Sequence, residues 1–239
     1  MQTNVENYAH IKNFFKDLSF NEEKHLYTVN NERLPSVSGL IKNYGNTFDA
    51  KRISLGTAKK TGKSQDQILK EWDDTKTEAC DRGHRVHLFG EEYPWDRTLV
   101  PQCPQEFAVK KFWDDMPDHI IPAFMELRMY HKTYGYAGTA DILLFDTMNR
   151  NFILADYKTN KDLFKNFAQQ TLHYPFKNFL DTPFSKYSLQ LSYYQLLFEQ
   201  TGSRVASRRL IWLDLKGNYH MYELPDLTLT LTQELAKRN

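Results

Sequence analysis

The segment from Ile120 to Tyr157 constrains this chain more than any other, because it holds three successive runs of strand character: Ile121 to Tyr130, Tyr136 to Phe145 and Phe152 to Tyr157. Three consecutive strands imply a sheet, and a sheet needs further elements to cover its apolar faces. The second and third runs frame Thr147-Met148-Asn149-Arg150, a polar, Asn-containing stretch suited to a hairpin connection. A symmetric register about Met148-Asn149 sets Asp141 opposite Asp156. Cross-strand Cβ atoms lie roughly 5 Å apart, close enough for two carboxylates to share one cation.

Asp156 opens the tripeptide Asp156-Tyr157-Lys158. Side chains alternate along a strand, so Asp156 and Lys158 share one face while Tyr157 points to the other. A carboxylate and an ammonium then meet the same pocket. The pattern acid-any-Lys occurs five times in the chain, starting at Glu22, Asp49, Asp74, Asp156 and Asp214, so the tripeptide alone selects nothing. Asp156 is the one that ends a buried-type strand and has a second strand-bordering carboxylate in hairpin register.

Around this meander the periodicity predicts helices. Val5, Tyr8, Ile11, Phe14, Phe15 and Leu18 fall at helical spacing over residues 4–18 behind Asn4, a candidate N-cap. His25 to Val29 reads as a strand with a turn at Asn30-Asn31, and Pro35-Ser36-Val37-Ser38 opens a helix capped by Ser36. A basic stretch follows, with Lys51, Arg52, Lys59, Lys60 and Lys63, and then a helix-compatible run from Ser64 to Phe89 ending near Gly90. Pro104 suits the first turn of a further helix. Residues 160–184 have no clear period and read as a lid or substrate-facing insertion. A helix from Tyr187 to Glu199, a hairpin from Leu210 to Leu215 and Tyr219 to Leu224, and a last helix from Leu227 to Lys237 complete the pass. The expectation is an α/β fold, a mixed central sheet flanked by helices.

With 239 residues, 41% hydrophobic, and no Pro/Gly/Ser-rich linker or repeat, a single domain over 1–239 is expected. The net charge of +1 means that any nucleic-acid contact must come from a local basic face. Two cysteines, Cys80 and Cys103, are too few for a four-cysteine zinc or iron-sulfur site. No apolar run is long enough to span a bilayer, and the first residues carry no apolar targeting core. A soluble, cytoplasmic protein is expected, and mitochondrial targeting is not supported.

Phosphodiester hydrolysis needs a deprotonated water, an electrophilic phosphorus and a stabilised leaving oxygen, which divalent cations supply. Hard oxygen ligands suit such cations: Asp141, Asp156 and the backbone carbonyl of Tyr157, with Lys158 offsetting phosphate charge. Upstream, Gly83 and His87 lie one helical turn apart, so the helix backbone can approach closely at the glycine while His87 projects from the same face. His84 reads as a capping or surface histidine. Glu126, in Phe124-Met125-Glu126-Leu127, points either into the site or onto an exposed strand face. Gln190 and Tyr194 stack at i and i+4, where amide and phenol can hydrogen-bond a phosphate or a ligand carboxylate.

In order and kind, Gly83 to His87, Glu126, Gly138-Thr139-Ala140-Asp141, Asp156-Tyr157-Lys158 and Gln190 to Tyr194 resemble the RecB-like exonuclease branch of the PD-(D/E)xK nuclease superfamily. The likeness spans residues 83–194. Pro35-Ser36-Val37-Ser38 is similar to the Pro-Ser-Val-Thr stretch of mitochondrial genome maintenance and related phage exonucleases, with Ser38 in place of Thr. The resemblance implies a restriction-endonuclease-like fold with residues 83–194 as catalytic core and 1–63 as an N-terminal extension. It implies His87, Asp141 and Asp156 as ligands of Mg²⁺ or Mn²⁺, Glu126 as an auxiliary acid and Lys158 as the catalytic lysine. Gln190, Tyr194, Ser36 and Ser38 would position DNA, and Lys51, Arg52, Lys59 and Lys60 would meet its phosphates. The implied activity is metal-dependent hydrolysis of DNA from an end. A structure-specific endonuclease of the same fold and an inactive DNA-binding module are the alternatives.

A phosphate-binding loop over Gly56-Thr57-Ala58-Lys59-Lys60-Thr61-Gly62-Lys63-Ser64 fails on spacing, with five residues between the glycines where four are needed.

Overall fold

The computed structural model describes residues 8–167 and 169–237. In chain order the elements are α1 (Ala9–Phe14), β1 (Leu18–Asn21), β2 (Leu26–Val29), β3 (Glu32–Leu34), α2 (Val37–Ile41), α3 (Ala50–Thr61), α4 (Gln65–Glu92), α5 (Pro104–Asp114), β4 (Ile120–Tyr130), β5 (Ala137–Asp146), β6 (Asn151–Lys158), α6 (Pro183–Glu199), β7 (Val205–Leu213), β8 (Tyr219–Glu223) and α7 (Thr228–Ala236). They form a mixed α/β protein with a five-stranded sheet in the order β4-β5-β6-β7-β8 and a three-stranded sheet in the order β1-β2-β3.

The meander β4-β5-β6 is antiparallel, as the sequence predicts, and β7 then lies parallel to β6. A parallel neighbour requires a crossover, and α6 supplies it. Strand alternation sends Ile142, Leu144, Ile153, Ala155 and Tyr157 to one face, where Val86, Ala108, Phe112 and Trp113 from α4 and α5 cover them. Leu143, Phe152, Leu154 and Leu210 go to the other face, against Leu189, Tyr193, Leu197 and Phe198 of α6 and Leu231 of α7. The β5-β6 turn is fixed by Asp146, whose Oδ1 accepts the backbone N–H groups of Met148 and Asn149, both at 2.9 Å.

Ser36 caps α2 by accepting the Gly39 N–H at 3.1 Å, and Pro104 opens α5, both as expected. Other elements differ from the periodicity. The first helix is confined to Ala9–Phe14, and Leu18 instead begins β1, pairing with Val29. Ladder pairing between distant residues overrides a local helical period here. The Asn4 cap and Val5 lie outside the described residues. The basic segment is a helix, α3, capped by Asp49, which accepts the Arg52 N–H; it closes at Gly62 in the left-handed conformation (φ 71°). Gly56 is therefore an interior helix residue. α6 starts four residues before Tyr187, because Thr182 caps it and Pro183 fits its first turn. β7 starts at Val205. Between β6 and α6 the chain has no helix or strand among the described residues, only a bridge of Thr171 with Leu180.

The close approach expected at Gly83 occurs elsewhere. A Cβ added at Gly83 would meet only Thr159 Oγ1, at an ordinary 3.6 Å, whereas at Gly90 it would lie 2.5 Å from the Tyr157 ring. α4 continues past Gly90 to Glu92 and seats its backbone on Tyr157 through that glycine. Among the described residues no helix is long and apolar enough to cross a membrane.

Candidate metal centre and cleft

Register builds the site. Ile142 pairs with Ala155, so the next position along the hairpin sets Asp141 beside Asp156. Met125 pairs with Ile142 and Leu127 with Ala140, which brackets Glu126 beside Asp141. Glu126, Asp141 and Asp156 thus form one rung across three neighbouring strands. Glu126 has φ 51°, a left-handed conformation that a non-glycine residue rarely adopts within a strand. β4 also shifts register between Pro122 and Phe124. Strain of about 1–3 kcal/mol persists where surrounding structure enforces it, and such residues concentrate at functional sites.

α4 brings His87 over this rung, with Nδ1 3.0 Å from Asp141 Oδ2. His87, Glu126 and Asp141 each offer a ligand atom, all within 4.8 Å of one another. Asp156 stands outside this triplet. Its side chain is 1% exposed, and each carboxylate oxygen lies 2.6 Å from Lys158 Nζ. Lys158 Nζ is also 4.8 Å from the centre of the Tyr187 ring. The potential ligand atoms that stand together are therefore those of His87, Glu126 and Asp141. Asp156 and Lys158 form an adjoining hydrogen-bonded pair, Asp156 buried and Lys158 half-buried.

Crowding of Glu126, Asp141 and Asp156, the last buried and the other two half-buried, shifts their protonation. Burial and the Asp141 charge push Glu126 up to about 7. Burial, then Asp141, raises Asp156 well above the usual carboxylate range. Asp141 goes the other way: burial opposes ionisation, but His87 and hydrogen bonds from Asp156 and His87 hold it low. Burial opposes the charge on Lys158 too, and is outweighed by Asp156 and Asp141, which raise it. Asp141 likewise overcomes the effect of burial on His87 and raises it. The carboxylates and imidazole form a donor set of the kind that holds a divalent cation.

The Tyr157 side chain faces away, 1% exposed, its hydroxyl accepting the Trp113 Nε1–H at 2.7 Å. Any Tyr157 ligand must come from its backbone. Gln190 Nε2 donates to the Tyr194 hydroxyl at 2.9 Å. Both line a cleft of about 840 Å³ together with His87, Glu126, Asp141 and Ser36, whereas Asp156 and Lys158, expected to meet the same pocket, do not line it. Ser38 lines it as well and lies 3.0 Å from Ser36, oxygen to oxygen. Gly138 gives Tyr194 its place, since a Cβ there would come within 2.7 Å of the ring. His84 is exposed on α4 at the cleft wall. Lys51, Arg52, Lys59 and Lys60 are exposed on α3, which packs on α4, and none of them lines this cleft.

Sequence reasoning missed the wall built by the small sheet. Phe20, His25 and Tyr27 line the cleft, and the Tyr27 hydroxyl lies 2.8 Å from Thr139 Oγ1. Arg128, two residues beyond Glu126 on β4, lines it too. Its spacing from Glu126 was the available signal. No family model matches the chain, and no curated protein sequence matches it.

Proposed function

We propose that this protein is a divalent-metal-dependent deoxyribonuclease of the PD-(D/E)xK superfamily, acting on DNA ends. The observation that carries this reading is the rung of Glu126, Asp141 and Asp156 on adjacent strands, with His87 above it and Lys158 beside it. The element order supports a restriction-endonuclease-like fold: a helix, three antiparallel strands, a crossover helix and a strand parallel to the third. Exonuclease over endonuclease rests on the resemblance alone.

His87, Glu126 and Asp141 would hold Mg²⁺ or Mn²⁺, with Asp156 adjoining. A cation bound there neutralises phosphoryl charge and makes a water more acidic. Lys158, anchored by Asp156, would present positive charge to the scissile phosphate. Gln190 and Tyr194, as a hydrogen-bonded pair on α6, would orient the phosphate, and Ser36 and Ser38 would line its approach. The exposed lysines of α3 would attract the strand at longer range.

Digestion of end-labelled linear DNA and of circular DNA, titrated with Mn²⁺ and Mg²⁺, tests the reading. Linear DNA should shorten from an end and circles should survive. Mn²⁺ should be the stronger activator, because an imidazole ligand suits it better. Cleavage that persists in excess chelator would refute the metal-dependent reading.

A further inference from the structure

The cleft wall formed by β1, β2 and β4 holds planar groups that the cleavage scheme leaves unused. Tyr27 and Phe20 have ring centres 4.5 Å apart, tilted by 33°. The Arg128 guanidinium carbon lies 4.8 Å from the Phe20 ring centre, and Arg128 Nη2 donates to Glu22 Oε1 at 2.7 Å. His25 closes the group, 5.2 Å from Phe20 and nearly perpendicular to it. Tyr27 is buried and Phe20 half-buried, while Arg128 is exposed. The guanidinium therefore sits outermost, over the Phe20 ring at the edge of the small sheet.

Its position relative to the rung is set by register. Arg128 pairs with Thr139, two residues along β4 and β5 from Glu126 and Asp141. Two residues of strand cover roughly 7 Å. Arg128 also stands where the main cleft meets a second cavity of about 650 Å³ running along β4, and Glu91 and Glu126 line both. A strand with its phosphate at the rung would lay a base near Arg128.

We propose that Arg128, held against Phe20 and clamped by Glu22, is a stacking platform for the nucleobase next to the scissile phosphate. The inference rests on the nuclease reading. A base face suits this guanidinium better than a phosphate does, because Glu22 already balances its charge and Glu126 stands two residues away on the same strand. Guanidinium and aromatic planes accept any base by its face, without reading sequence. The platform therefore makes Arg128 a positioning residue that demands a base, unstacked from its neighbours, and is indifferent to which base it is.

The test uses the full chain and a single-stranded oligonucleotide in which each nucleotide in turn is made abasic. Binding is measured by fluorescence anisotropy in chelator, and cleavage in Mn²⁺. At one position next to the cleaved bond, loss of the base should weaken binding about 5- to 150-fold, the range for one base–aromatic stack. Arg128→Leu should weaken the intact strand by a similar factor and leave the abasic strand unchanged. Arg128→Lys, which keeps charge but no plane, should behave like Arg128→Leu. Rescue by lysine, equal affinity across the abasic scan, or no binding of any strand overturns the platform. Cleavage with equal affinity across the scan would leave the nuclease reading standing. A base-dependent affinity without cleavage in Mn²⁺ would do the reverse.

Discussion

At the scale of single residues, Lys158 and Asp156 are tied by burial. Removing one partner of a buried hydrogen bond leaves the other unsatisfied and costs about 1–3 kcal/mol, more where the stranded group is charged. Lys158→Ala and Asp156→Asn should each abolish cleavage while DNA binding survives. Urea unfolding of the single and double variants should show a destabilised Lys158→Ala and a partial recovery when Asp156→Asn is added. Additive losses would mean that the pair is not coupled. Outside the site, His131 is 9% exposed, and its Nδ1 accepts the N–H groups of Thr133 and Tyr134 at 3.3 and 3.2 Å. Burial pushes it down to about 4 from an ordinary 6.5. Above pH 6.5 both folded and unfolded forms are neutral there, so its contribution is whole. Between 6.5 and 4 only the unfolded form takes the proton, and stability falls. His131→Gln should therefore lose about 2–3 kcal/mol less than the native protein between pH 7 and pH 4.5, as measured by denaturant melts at the two pH values.

At the scale of elements, the strands of the meander were legible because alternation and the polar Thr147 to Arg150 turn agree with the tertiary pairing. β1 was not legible, since Leu18 and Phe20 fit a helical period as well as a strand, and only pairing with Val29 and Tyr27 separates the two. α3 was hidden because a charged surface helix has little apolar period. The seat of α4 was misplaced by one glycine. Gly90→Ala forces a methyl group into the Tyr157 ring, whose hydroxyl is held by Trp113. Overpacking of this kind typically costs about 1–3 kcal/mol. The variant should melt at lower denaturant, and its cleavage should fall as well, because His87 lies one turn along the same helix. Gly83→Ala, with ordinary room at its Cβ, should keep near-native stability in the same melt. An equally destabilised Gly83→Ala would restore the seat to position 83.

At the scale of the molecule, a formal charge of +1 leaves attraction to DNA to local fields. α3 carries Lys51, Arg52, Lys59 and Lys60 on an exposed helix outside the cleft. If these meet phosphates, Lys59→Ala with Lys60→Ala should weaken DNA binding uniformly across sequences. The slope of log affinity against log salt should also become shallower by about 1 for each phosphate no longer neutralised. An unchanged salt slope would assign α3 to a solvated surface. The meander, the turn that sets its register and hence the meeting of Asp141 with Asp156 are readable along the chain, because alternation and turn chemistry are local and strand neighbours are adjacent in the chain. Long-range packing set Glu126 in the rung, brought His87 to it and placed Asp156 against Lys158. It also decided that a distant hairpin walls the cleft with Phe20, His25 and Tyr27. Those placements depend on where α4 and the small sheet dock, which is fixed by packing between residues far apart in sequence and leaves no period to read.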